Sequence, residues 1–200
     1  MVPAIALLAL TSSATPVGAA DGSAAPRQGG IELHLETGVS LNHLATEDGP
    51  RVDSVLGGPT ITLGWRFASG LAIGGGIALH VGHAYGFTNY PIQNSEGVVI
   101  WPRLFAQVEY HTGGLRIGAA AGVGTLGATN EGCDCYNVEG SLNSASGPSL
   151  VVAPHLGYDW PVSKSWGIGV LGRLWLSPTD RYDEPGLVIA PELAFSASWF

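Results

Sequence analysis

Charge is scarce in this 200-residue chain. Asp, Glu, Lys and Arg make up 12% of it, against roughly 25% in an ordinary soluble domain. Eight Lys and Arg stand against sixteen Asp and Glu, giving a net charge of −8. That balance argues against contacts to a phosphate backbone, so no nucleic-acid partner is expected. Long apolar runs are missing too. Although 46% of the residues are hydrophobic, no unbroken stretch reaches the ~18 that a membrane helix needs. There is no phosphate loop, no HExxH zinc motif and no GxSxG elbow, so no cofactor, metal or catalytic residue is implied. What the chain does have is 30 glycines spread along its length. An apolar, glycine-rich chain with little charge and no spanning helix predicts many short strands rather than an α/β enzyme.

The clearest strand is the last. From Leu187 to Phe200, Leu187, Ile189, Leu193, Phe195, Ala197 and Trp199 share one face, and Ala190, Glu192, Ala194, Ser196 and Ser198 share the other. A terminal strand needs a partner, and closing a barrel against the first strand supplies one. In lipid, closure is the only solution a sheet has.

Seven further strands are predicted. The first starts at Ile31, with Ile31, Leu33, Leu35, Val39 and Leu41 opposite Glu32, His34, Glu36, Ser40 and Asn42. A polar segment from Ala45 to Leu56 reads as a loop, and the second strand runs from about Thr60 to Phe67. The third, from Leu71, has the small inner face Ala72, Gly74, Gly76, Ala78, then His80. The fourth sets Trp101, Arg103, Phe105, Gln107, Glu109 and His111 inside. The fifth, from Leu115, is again small inside, with Arg116, Gly118, Ala120, Gly122 and Gly124. The sixth spans about Ser149 to Trp160 with His155 and Asp159 inside. The seventh runs from Trp166 to about Ser177 around Arg173 and Trp175.

Long polar connections follow strands one, three, five and seven; connections of three to five residues follow two, four and six. This alternation fits a barrel with long exterior loops and short periplasmic turns, with both termini in the periplasm. There is also an internal repeat. Val99-Ile100-Trp101-Pro102-Arg103-Leu104, Val151-Val152-Ala153-Pro154-His155-Leu156 and Val188-Ile189-Ala190-Pro191-Glu192-Leu193 share one pattern, shortened at Pro59. A proline cannot donate to a ladder, so the common position implies either a shared bulge or a shared level.

Trp65, Phe67, Tyr110, Tyr158, Trp160, Trp166 and Trp199 fall at the turn ends of their strands, as a periplasmic aromatic girdle would. The inner faces bring Arg66, Arg103, Arg116 and Arg173 against Glu32, Glu36, Glu109, Asp159 and Glu192, joined by His34, His80, His111 and His155. Buried charge without a partner is costly, so a mutually paired network is expected. Eight strands leave room only for side chains, and Trp101 and Phe105 between small-faced strands imply a plug. The loops hold the remaining acids: Glu47, Asp48, Asp53, Glu96, Glu131, Asp134, Glu139, Asp180, Asp183 and Glu184, against Arg51 and Arg181. In the Cys133-Asp134-Cys135 loop, an exported context favours a disulfide, and the one-residue spacer makes that ring small and strained. A metal would need two further ligands.

Residues 1–20 read as a signal peptide, with the apolar core Ile5–Leu10 and small residues at Val17-Gly18-Ala19-Ala20, although no Lys or Arg precedes the core. Residues 21–29 form a flexible lead-in, and 30–200 the barrel.

On this architecture the chain resembles the small eight-stranded outer-membrane barrels of the OmpA-transmembrane, OmpX and OmpW type, from Ile31 to Phe200. The resemblance implies an all-β, antiparallel, up-and-down transmembrane barrel in the outer membrane of a Gram-negative bacterium. It implies contact with outer-membrane lipid and lipopolysaccharide. It also implies an assembly signal at Phe200 read by the barrel-insertion machinery, here out of phase with Phe195 and Trp199. A structural or surface-interaction role is the expected function. The alternatives are a small-solute or ion channel and a soluble lipocalin-like binding barrel. A lipid A-modifying enzyme is disfavoured: the outward histidines His43 and His83 have no Ser and acid beside them in sequence.

Overall fold

The computed structural model describes residues 29–46, 51–88, 97–130, 147–179 and 186–199. Nine strand segments build it: β1 Gly30–Thr46, β2 Arg51–Arg66, β3 Leu71–Thr88, β4 Gly97–Thr112, β5 Leu115–Gly124, β6 Gly127–Asn130, β7 Ser149–Pro161, β8 Trp166–Thr179 and β9 Gly186–Trp199. Segments β5 and β6 pair with β4 in one continuous register, Gly124 with Arg103 and Gly127 with Ile100, so they are two halves of one stave. Each stave pairs antiparallel with the next, and β9 returns to β1. The result is a closed, all-antiparallel barrel of eight staves.

Alternation decides what faces where. Along β7 and β9, buried and exposed residues alternate almost without a break. Inside lie ion-pairing and hydroxyl groups; outside lie Ile31, Leu63, Leu104, Leu193 and Phe195, each at least 58% exposed. This is the reverse of a soluble barrel, which hides its aliphatic face.

Tight turns fix one end. Phe67–Gly70 and Gly113-Gly114 reverse the chain, with Gly70, Gly113 and Gly114 at positive φ, a region glycine enters without a Cβ clash. The Gly30 end of β1 pairs with Arg66, and Trp199 pairs with Trp166, so both ends of the described barrel lie at this turn end.

Two boundaries differ from the sequence reading. Most of the segment read as a loop is strand: β1 runs on to Thr46, and β2 begins at Arg51 rather than near Thr60. The alternation continues through it, with Ser54 and Leu56 inside and Asp53 and Val55 outside. Charged residues and the Gly57-Gly58-Pro59 run mimic a loop, yet on a closed barrel their outward side chains need no core. Likewise the connection after the fifth predicted strand begins with β6, part of the wall.

The prolines resolve into one device. Pro59, Pro102, Pro154 and Pro191 all face outward. The β2–β3 ladder skips Gly58 and Pro59, opposite His80 and Leu79. The ladder from β4 to β5 and β6 skips Trp101 and Pro102, opposite Leu126 and Thr125. The β7–β8 ladder skips Ala153 and Pro154, opposite Trp175 and Leu174. The β9–β1 ladder skips Ala190 and Pro191, opposite Asn42 and Leu41. In all four the register on either side of the gap is unchanged, so there is no bulge. Each proline interrupts only the seam that its missing N–H would have served, and its other seam stays paired through β1–β2, β3–β4, β5–β7 and β8–β9.

Candidate functional site

The lumen gathers the chain's buried chemistry, and the strands set its order. Near the turn end, Glu32 on β1 pairs with Arg66 on β2. An Arg66 N–H donates to His111 Nδ1 at 2.8 Å, and His111 Nε2 lies 3.0 Å from Glu109 Oε2. The bond at Nδ1 leaves the ring proton on Nε2, where it donates to Glu109. Glu109 also accepts from His155 Nε2 at 2.8 Å and from Arg116 Nη2 at 2.9 Å. Arg116 continues to Glu36 at 3.4 Å and Asp159 at 3.7 Å. Glu36 accepts from Arg173 at 2.8 Å, and Arg173 reaches Glu192 at 3.5 Å. Glu192 accepts the indole N–H of Trp175. One chain of contacts therefore climbs from Glu32 to Trp175 through β1, β2, β4, β5, β7, β8 and β9. Ser196 and Ser198 direct hydroxyls to Asp159, and Ser198 meets His34 Nδ1 at 2.8 Å.

Eight of the nine lumen charges foreseen from sequence belong to this chain; Arg103 does not. Among the described residues no carboxylate lies within 4.0 Å of it, and none of its three nitrogens has a hydrogen-bond partner. Its guanidinium carbon instead sits 4.3 Å from the Trp101 ring centroid and 4.2 Å from that of Trp175, a cation held against two indole faces. Phe105 stacks edge-on to Trp175 with centroids 5.4 Å apart. The small inner faces make this possible: a Cβ on Gly76 would meet the Phe105 ring at 2.7 Å, and one on Gly122 would meet Phe105 Cβ at 2.8 Å. Beyond this layer, toward the loop end, Leu56, Val99, Leu126, Val151 and Val188 complete a buried apolar cluster. That cluster was not foreseen. Its signal is present in the sequence, since Val99, Val151 and Val188 occupy the same inner phase of the proline repeat.

The other sequence candidates fall as follows. Trp65, Phe67, Tyr110, Tyr158, Trp160 and Trp199 are exposed on the outer wall toward the turn end, with Trp166 half-buried and opposite Trp199. Asp53, assigned to a loop, is on the outer face of β2 and bonds His43 Nδ1 at 2.6 Å. Cross-strand register creates that pair, which lies ten positions apart in sequence. The signal-peptide and lead-in readings, Cys133, Cys135, Phe200 and the remaining loop acids lie outside the described residues.

No protein-family model and no curated protein matches the chain. Solved structures do. The chain is similar to Ail, the attachment invasion locus protein of Yersinia pestis, crystallised with the heparin analogue sucrose octasulfate. The two are 12% identical, the match covers 86% of this chain and 99% of Ail, and the TM-score is 0.52. It is similar to Neisserial surface protein A at 13% identity, over 85% of this chain and 98% of that one, with a TM-score of 0.52. At such identities the likeness speaks for the fold, and the fold is that of the small eight-stranded outer-membrane barrels.

Proposed function

We propose that this chain is an outer-membrane barrel whose lumen is closed and whose work is done at its surface, where acidic exterior loops meet the surroundings. One observation carries the reading: side chains block the cross-section. Trp101, Trp175, Phe105 and the apolar cluster block the loop-end half, and the ion-pair chain occupies the turn-end half. Eight strands leave little more than side-chain volume, and here bulky side chains span it, leaving no continuous aqueous path. The lipid assignment is supported by the outward aliphatic belt. Such a belt is stable against hydrocarbon, while the paired charges are stable inside. The aromatic rings at the turn end suit a membrane interface, and the short turns there support a periplasmic side for that end and for both barrel termini. Glu47, Asp48, Glu96, Glu131, Asp134, Glu139, Asp180, Asp183 and Glu184 are then assigned to exterior connections. Acidic loops facing anionic lipopolysaccharide would hold it through divalent cations.

Gel mobility before and after boiling, on the cell-envelope fraction, is the first test, followed by planar-bilayer recording. A folded membrane barrel resists SDS until heated, so two mobilities and no sustained conductance steps are expected. Equal mobilities together with solubility in the absence of detergent would remove the membrane assignment. Steady conductance that shifts on neutralising Arg103 or Glu109 would replace the closed lumen with a channel.

A further inference from the structure

Among the described residues Arg103 is the one lumen arginine with no carboxylate within 4.0 Å; Glu192 acts on its charge only from farther away. Arg66, Arg116 and Arg173 each contact a carboxylate. The nearest candidate for Arg103, Glu192, is already engaged by Trp175 and Arg173, with His80 Nε2 3.9 Å away. Stacking does not remove the difficulty. Indoles meet the faces of a guanidinium, whereas its N–H groups point outward in its plane. At 3% exposure that edge lies out of bulk water.

The neighbouring inner rows hold further unsatisfied polar groups. Arg103 stands in one register row with Thr60, Ala78 and Gly124. Ala78 and Gly124 flank it closely with almost no side chain. The Thr60 hydroxyl is buried without a partner, and so are both ring nitrogens of His80, which pairs with Trp101 one row away. A charged fork, a hydroxyl and an imidazole with unused hydrogen-bonding capacity thus stand on adjacent inner rows beside small neighbours. Water could accept these bonds, but it would not balance the buried charge.

We propose that the lumen binds a small oxyanion on the free edge of the Arg103 guanidinium, with His80 and Thr60 as further donors. A carboxylate or a phosphate presents two oxygens at the spacing of the fork, and a halide does not. The two indoles hold the guanidinium in place beforehand, so little side-chain freedom is lost on binding.

The test uses the full chain folded in detergent, dialysed into chloride and melted while following tryptophan fluorescence. Inorganic phosphate and acetate each replace chloride at constant ionic strength. A saturable rise in melting temperature is expected with at least one of them, and which one identifies the headgroup chemistry. R103M should abolish the rise. R103K keeps the charge without the fork and should weaken the apparent affinity about tenfold or more, as expected for loss of a charge-assisted bidentate bond. If R103M does not fold, R103K carries the comparison. No saturable rise with either anion in the unmodified chain, or an equal rise in the Arg103 variants, would overturn the site.

Discussion

Glu109 shows how much one lumen residue can hold. It accepts from His111, His155 and Arg116, which come from three staves. Arg116, fully buried, ties Glu109 to Glu36 and Asp159 in turn. Truncating one partner of a buried ion pair leaves the other charge stranded, which costs about 3–5 kcal/mol. R116M is therefore expected to lower stability by about that much, measured as urea unfolding from lipid vesicles. Because E36Q removes one of the stranded charges, the R116M/E36Q double variant should lose less than the sum of the two single changes. Additivity would mean that Arg116 and Glu36 contribute no coupling energy to the fold. Phe105 makes the complementary point about volume. Its ring fits only because Gly76 and Gly122 carry no Cβ.

At the scale of the strand, the prolines act by subtraction. Thr125 N–H donates to the Pro102 carbonyl at 3.2 Å, while the reciprocal bond has no donor. P102A supplies that donor without moving the register. The restored hydrogen bond is worth about 1 kcal/mol, and the loss of proline's restriction of the unfolded chain takes back about 0.4–1 kcal/mol. Net stability should therefore hardly change. Hydrogen exchange is the informative readout: the new amide at position 102 should be protected. Rapid exchange there would show that the seam is open for some reason other than the missing N–H. Inserting one residue beside Pro102 is a different perturbation, because it would turn the rest of the strand inside out.

For the molecule as a whole, the question is which solvent the outer wall meets. Leu104 is 60% exposed at the middle of β4. In a bilayer, arginine near the midplane of a barrel wall costs about 2–4 kcal/mol. On a water-exposed surface the same change stays within about 0.5 kcal/mol. L104R should show the larger loss when folding is titrated in vesicles, and a loss near zero would favour a soluble barrel. The same wall explains why β9 is needed. Without it β1 and β8 would both present unpaired edges.

The sequence by itself determined the class of fold, the strand count, the positions of the short turns and the inner and outer faces, because all of these are local. Period-2 alternation survives in any register, and Gly70 and Gly113-Gly114 mark turns through φ alone. It also determined that Glu32, Glu36, Glu109, Asp159 and Glu192 would share an interior with four arginines. Only the tertiary structure decided which charge meets which, since pairing depends on strand tilt and on reach across the lumen. Arg103 ends between Trp101 and Trp175, on β4 and β8, far apart in sequence. His43 meets Asp53 only through the β1–β2 register. The run from Ala45 to Leu56 misled for the same reason. Polar composition and Gly57-Gly58-Pro59 signal a loop locally, but closure of the wall holds residues 45–46 and 51–59 in strands, and Pro59 affects only the seam on one side.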